Sequence, residues 1–304
     1  MPALRIRHPF GPLVICALVI AAMLVGAGSA AATTPVQCGT SGHFTVSDDL
    51  GVVSQSSCTG TAAVPEGVTY IDSGAFEHSG VVSMSLPASL ERVYEYAFGG
   101  SNSLTSFTVA GGNPTFTAVD GVLFRTYGAA PDVHTELVQY PGGKSGDYTI
   151  PSTVTDIFTA AFAKTGASVT VTIPDSVTSI GSNAFQNTTG ITSVTIGNGV
   201  TAIGAYTFEN ATALTSVTIG SGVGTIGSRA FHNTALAAIT IPSNVTTIES
   251  EAFYQSSGLA NVTIMSSTPP SVGGDVFAQT AVGAHVHVRT DATGWGALAP
   301  CGTG

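Results

Sequence analysis

The sequence predicts a β-rich α/β solenoid, in which each coil gives one strand to a parallel ladder and a short turn or helical segment to the back. Three observations predict it. The block running from Ile191 to Asn210 recurs from Leu214 to Asn233 with its apolar residues and glycines in the same places and no gap. The Phe that closes the block recurs at Phe76, Phe98, Phe162, Phe185, Phe208, Phe231, Phe253 and Phe277, at intervals of 22, 64, 23, 23, 23, 22 and 24. Short runs such as Val194-Thr195-Ile196 alternate aliphatic and hydroxyl residues, the period-2 pattern of a half-buried strand. Self-similarity at a fixed period of about 23 residues marks a solenoid, because one unit cannot bury its own apolar face and stacking supplies the core.

The first residues stand outside this pattern. Arg5 and Arg7 precede an apolar run from Leu13 to Val25 and then Ala30-Ala31-Ala32, the arrangement of a secretory signal peptide cleaved near Ala32. The run is shorter than the roughly 20 residues a bilayer span needs. No later stretch is long and apolar enough to cross a membrane, and no Leu-Pro-x-Thr-Gly signal occurs. The expected organisation is a leader over 1–32, a β cap over 33–66, the array over 67–283 and a C-terminal cap and tail over 284–304. A hairpin insertion is expected at about 111–147. The 304-residue chain carries a net charge of −10, and cleavage leaves six basic against eighteen acidic residues, a net −12. That balance excludes nucleic acid, which needs a clustered basic face, and docking on anionic lipid. Three cysteines survive cleavage. Export favours a disulfide, with Cys38 and Cys58 as the expected pair and Cys301 left over.

Before the first unit, His43-Phe44-Thr45-Val46 and Gly51-Val52-Val53-Ser54 read as short strands around an Asp48-Asp49 turn. A solenoid end exposes its core to water, so a small stapled β unit suits the role of cap. Strands are expected over 81–86, 104–109, 191–196, 214–219, 236–241 and 259–264. The second half of each unit places Val177, Ile180, Ala184 and Phe185 inward, with a short helical or irregular turn between Ile180 and Phe185. Asn187, Asn210 and Asn233 follow the Phe by two, where Asn tolerates the left-handed region. Pro87, Pro151, Pro174 and Pro242 stop strands, having no N–H to donate. The 64-residue interval is not a whole number of units. It contains Asp120-Gly121-Val122-Leu123-Phe124-Arg125, a Gly/Ala/Pro turn, and Glu136-Leu137-Val138-Gln139-Tyr140-Pro141, which read as a hairpin inserted into the array. His285-Val286-His287-Val288 reads as a last strand.

The unit Leu-x-x-Val-Thr-Ile-Pro-x-x-Val-Thr-x-Ile-Gly-x-x-Ala-Phe resembles the BspA-type leucine-rich repeat of bacterial surface and secreted proteins. The resemblance runs over roughly 64–288 and extends to the hairpin motif from Asp120 to Pro141. It implies a curved leucine-rich-repeat solenoid with roles in adhesion, and it brings no catalytic residues.

Chemistry-bearing motifs are scarce. Gly222-Val223-Gly224-Thr225-Ile226-Gly227 matches a dinucleotide fingerprint, but no long helix follows to meet a pyrophosphate, and the same slot one unit earlier reads Gly197-Asn198-Gly199. Gly143-Lys144-Ser145 lacks the first glycine of a phosphate loop, where Val138 stands. His285 and His287 would face one way on a strand, yet a metal site needs a third ligand. Glu249 and Glu251 fall on an exposed turn. No Gly-x-Ser-x-Gly, His-Glu-x-x-His or Cys/His pairing occurs, so neither an enzyme nor a cofactor is expected.

Two surfaces remain. The outward strand positions form a ladder of small hydroxyls, including Ser193/Thr195, Ser216/Thr218 and Ala238/Thr240. Thr stacks well in a parallel ladder for structural reasons alone, and the ladder lacks the Trp, Tyr and Arg of binding hot spots. The aromatics cluster at Tyr94 and Tyr96 and, in the hairpin, at Phe124, Tyr127 and Tyr140. The sequence therefore predicts a secreted, monomeric, non-enzymatic repeat protein that binds an extracellular protein or mediates adhesion, with specificity at the hairpin. The alternative is a polysaccharide-binding or wall-associated module that uses Thr195, Thr218 and Thr240.

Overall fold

The computed structural model describes residues 34–39, 42–56, 58–128, 134–288, 290 and 293. The expected leader over 1–32, the residues 129–133 of the hairpin turn, and Cys301 with most of the expected C-terminal cap lie outside the described residues. Each coil has three sides. The front side is a parallel ladder of the Val-Thr-Ile strands. It runs through Thr59–Ala63, Gly80–Leu86 and Ser106–Val109, then Gly146–Thr149, Val169–Ile173, Ile191–Ile196 and Ser216–Thr218, then Ala238–Ile241, Asn261–Ile264 and His285–Val288. A second side carries two-residue strands, among them Asp156–Ile157, Ser179–Ile180, Thr225–Ile226 and Thr247–Ile248. The third side holds the Phe.

The third side takes the irregular form of the two expected, a helical or an irregular turn: no helix occurs among the described residues. At each of the eight Phe positions, the residues two before and two after have positive φ. Asn183 and Asn187 flank Phe185 at 61° and 58°, and Tyr206 and Asn210 flank Phe208 at 60° and 56°. Left-handed residues four apart break any α-helix, since L-residues do not continue a helix through that region. Backbone donors then alternate. Ala184 N–H bonds back to Gly181 O within the turn, at 3.3 Å, while Phe185 N–H donates across to Thr207 O of the next coil, at 2.9 Å. The turns thus form a third hydrogen-bonded ladder and satisfy their own polar groups. Asn side chains extend it: Asn210 Nδ2 donates to Asn187 Oδ1 at 3.0 Å, and Asn233 Nδ2 to Asn210 Oδ1 at 2.9 Å.

Inside, Val177, Ala184 and Phe185 are fully buried and Ile180 nearly so. The Phe rings stack with centroids 4.6 Å apart for Phe162–Phe185, 4.9 Å for Phe185–Phe208 and 5.1 Å for Phe208–Phe231. Ring spacing follows strand spacing of roughly 4.8 Å in a ladder. Two glycines of the false nucleotide motif have the same origin. A Cβ at Gly222 would overlap Asn198 O and one at Gly227 would crowd Ala205 N, so coil-to-coil backbone approach requires both, whereas one at Gly224 would meet only ordinary contacts.

The N-terminal unit pairs Thr34–Cys38 with Gly42–Val46 and Gly42–Val46 with Gly51–Ser56, all antiparallel. Cys38 and Cys58 are buried and disulfide-bonded, with Cα atoms 5.4 Å apart.

The insertion is more than a hairpin. Phe116–Val119, Val122–Tyr127 and His134–Gln139 make an antiparallel meander, and the third strand pairs in parallel with Asp156–Ile157. Its turn, Asp120 at φ 50° and Gly121 at 78°, is the Asp-Gly turn that favours tight hairpins. Leu123 and Val138 pack with the N-terminal core, whereas Val122, Phe124 and Leu137 pack with the C-terminal one. Both faces of the meander are therefore covered, which accounts for its unbroken apolar runs.

Candidate functional site

Two of the expected contact residues are corrected by this packing. Phe124 is 3% exposed and Tyr140 1%, so neither can meet a partner. Both belong to the C-terminal core because the meander closes that half of the stack. Tyr140 donates its hydroxyl to Lys144 O at 2.9 Å. Burial pushes its phenol up to about 12.

Tyr127 is different. It is 40% exposed and lies on the strand Val122–Tyr127 opposite His134. Its ring stacks on the His134 imidazole with centroids 5.3 Å apart, and the Arg125 guanidinium lies 5.3 Å from the ring centres of both Tyr127 and Phe158. Arg125 is held in turn by Glu136, with Nε 2.9 Å and Nη2 2.5 Å from Oε2. His134 Nδ1 lies 3.0 Å from Asp156 Oδ2, which also accepts the Thr155 hydroxyl at 2.6 Å. Partial burial, then the Asp156 and Glu136 charges, push the Tyr127 phenol above its ordinary value. Burial raises the Glu136 carboxyl, against the pull of Arg125. The result is an aromatic ring fixed from beneath and beside, with one edge in solvent.

Sequence reasoning named Tyr127 but missed Arg125, His134, Asp156 and Phe158. Period-2 alternation along 122–127 puts Arg125 and Tyr127 on one side, a signal that could have found Arg125. Asp156 and Phe158 flank Ile157 on a strand too short to register.

The hydroxyl ladder is present on the front side. Thr149, Thr172, Thr195 and Thr218 are aligned in register and exposed, and Thr240 pairs with Thr263. The ladder is interrupted, however. Strand pairing stops between Ser216–Thr218 and Ala238–Ile241. There a groove of about 480 Å³ opens between Thr218 and Thr240, and Val217 is only half-buried where Val194 is fully buried. The break coincides with a connection of five positions from Phe231 to Leu236, against six from Phe208 to Leu214, although the equally short connection from Phe76 to Val81 leads into a strand that stays paired on both sides. His285 and His287 are exposed on the last strand, and no cluster of three or more metal-binding side chains exists among the described residues.

Of the other aromatics, Tyr96 donates its hydroxyl to Gln186 Oε1 at 2.7 Å, with Lys164 5.8 Å from its ring centre. Tyr94 is exposed and meets Tyr70 edge to face, centroids 6.1 Å apart. No helix among the described residues is long and apolar enough to cross a membrane.

Comparison with known proteins places this architecture. No curated protein matches the chain. Among solved structures, a leucine rich cell surface protein from Faecalibacterium prausnitzii A2-165 is similar at 22% identity and a TM-score of 0.54, over 76% of this chain and 60% of that one. A leucine-rich repeat protein from Eubacterium ventriosum ATCC 27560 is similar at 20% identity and a TM-score of 0.58, over 73% of this chain and 65% of that one. The chain thus spans less than two thirds of either relative, and at these identities the likeness shows the fold. The BspA type Leucine rich repeat region matches in six copies over residues 54–125 and 144–284, well over half of the chain. The chain belongs to the BspA-type leucine-rich repeat family.

Proposed function

We propose that this is a secreted or cell-surface binding protein without enzymatic activity, which holds an extracellular protein partner against the Tyr127 cluster. The observation that carries the reading is Tyr127: an exposed ring whose position is fixed by His134 and Arg125 before any partner arrives. Tyr and Arg lead the residues that anchor protein interfaces, and a ring already held in place loses little conformational freedom on binding. Export rests on the leader pattern over 1–32, and the description of the F. prausnitzii relative as a cell surface protein agrees with it. The second reading, a neutral glycan on the front side, has one observation in its favour: the groove between Thr218 and Thr240, where the strands Ser216–Thr218 and Ala238–Ile241 are not paired with one another.

Reciprocal substitutions separate the two. The protein is used to capture its partner from extracellular extract. Tyr127→Ala is expected to lower retention at least about tenfold, the size of a hot-spot loss, while a triple variant carrying Thr195→Lys, Thr218→Lys and Thr240→Lys retains it. The converse result transfers the function to the front side.

A further inference from the structure

A second charged and aromatic surface lies on the two-residue ladder of the first two coils, and it shares no residue with the Tyr127 cluster. Tyr70–Ile71 and Arg92–Val93 pair there in parallel. Around them Asp49, Tyr70, Asp72, Glu91, Arg92 and Tyr94 line a groove of about 440 Å³.

Four later coils show that the fold does not call for these side chains. Four residues before the Phe, the coils of Phe185, Phe208, Phe231 and Phe277 carry Gly181, Gly204, Gly227 and Gly273, while the first two carry Asp72 and Tyr94. The exceptions are Phe158 and Glu249, in the coils of Phe162 and Phe253. Six before the Phe, the later coils carry Ser179, Ala202, Thr225, Thr247 and Ser271, with Asp156 as the exception, while the first two carry Tyr70 and Arg92. Small residues at both positions suffice to build this side in those four coils. The groove replaces them with two rings and an excess of carboxylates.

The chemistry of the lining is that of a cation acceptor. Tyr70 and Tyr94 stand edge to face, and aromatic faces attract a cation through the ring quadrupole. Three carboxylates face one guanidinium, and no ion pair joins Asp49, Asp72, Glu91 or Arg92 to another described residue. Asp49 accepts hydrogen bonds from the Ser47 and Tyr70 hydroxyls, which hold its carboxyl below the ordinary range and keep it ionised. Asp72 Oδ1 is fixed by Ser73 N–H at 2.8 Å. A long side chain ending in a positive charge matches this lining: its stem lies along the rings and its head meets the acids.

We propose that this groove receives a lysine- or arginine-bearing segment of a partner protein, as a recognition site separate from Tyr127.

The probe is an N-acetylated tetralysine peptide, titrated calorimetrically into the full chain at about 0.15 M salt, where distant charges are screened. The expected result is saturable binding that weakens about tenfold in Asp72→Asn/Glu91→Gln, as loss of two charge contacts of modest strength implies. Tyr94→Ala is expected to weaken it about threefold and Tyr94→Phe to leave it unchanged, since the ring and not the hydroxyl meets the cation. Asp275→Asn/Glu249→Gln removes the same charge elsewhere on the chain and is expected to change affinity less than about twofold. Should Tyr94→Ala melt at a lower temperature, the two charge pairs decide. No binding by the unaltered protein, or equal losses in the two charge pairs, would overturn the proposal.

Discussion

Tyr140 stacks on Phe162 with ring centroids 4.9 Å apart and 20° between planes, and its backbone N–H donates to Ala161 O at 2.9 Å. Phe162 makes the same bond to Ala184 O and Phe208 to Ala230 O. Tyr140 therefore occupies the phenylalanine slot of the interrupted coil, and the interval of 64 divides into 42 and 22. The meander adds the extra length, while the ring column of the C-terminal half begins at Tyr140.

This position predicts a graded response. Tyr140→Phe removes only the hydroxyl bond to Lys144 and is expected to cost about 1 kcal/mol. Tyr140→Ala opens a ring-sized void at the mouth of the column and is expected to cost about 3–5 kcal/mol. Urea unfolding of the two variants checks the ratio.

Alkaline pH tests the same burial. An unfolded chain ionises this phenol near 10, whereas in the fold it stays protonated up to about 12. Its contribution to stability is full below pH 10 and is lost as pH rises from 10 through 12. Tyr148 is pushed up further by burial and the neighbouring Tyr140. Absorbance titration of tyrosinate should therefore show Tyr140 and Tyr148 ionising last, and Tyr140→Phe should remove one of these late steps and flatten the alkaline fall in stability.

The shortened connection after Phe231 is held by a buried hydroxyl pair. Ser256 Oγ donates to Phe231 O at 2.7 Å and lies 2.9 Å from Thr234 Oγ1. Another five-residue connection, Phe76 to Val81, has the same arrangement, with Ser79 and Ser101 hydroxyls 2.9 Å apart. Ser256→Ala removes the acceptor of the buried Thr234 N–H, which it meets at 3.1 Å, while Thr234 Oγ1 keeps its 3.3 Å bond to Phe231 O, and is expected to cost about 1–3 kcal/mol. The exposed neighbour Ser257→Ala is expected to stay within about 0.5 kcal/mol of the parent. Thermal melts of the pair measure the difference.

Reduction of the Cys38–Cys58 bridge, which spans 20 residues, is expected to destabilise the N-terminal cap by about 3 kcal/mol in the chain-entropy account. Hydrogen exchange before and after reduction should show the loss in 34–71 and little change beyond Phe162, because a repeat array couples mainly to its neighbours.

The parts of this fold that were legible in sequence are those where one residue type recurs. Phe162 to Phe277, the Val-Thr-Ile strands and the αL asparagines 187, 210 and 233 all follow from period and from the backbone tolerance of Asn. The spacing from Ile180 to Phe185 left a helical and an irregular turn open, and the left-handed residues on either side of the Phe make the turn irregular. Tyr140 was hidden because its coil keeps the slot but changes the residue. Phe124 and Tyr127 look alike as hairpin aromatics in sequence. Only the meander's double coverage separates them, burying Phe124 and leaving Tyr127 at the strand end. The groove at Thr218 and Thr240 is not legible in the chain, because the 22-residue interval that accompanies it also runs from Phe76 to Phe98, where the strands stay paired.

The claim that specificity resides at Tyr127 and not on the hydroxyl ladder is tested most directly by placing a photoreactive p-benzoylphenylalanine at position 127 and, separately, at position 218, then irradiating each with the captured partner. The account predicts a covalent adduct from position 127 and none from position 218. An adduct from position 218 with none from position 127 would contradict it.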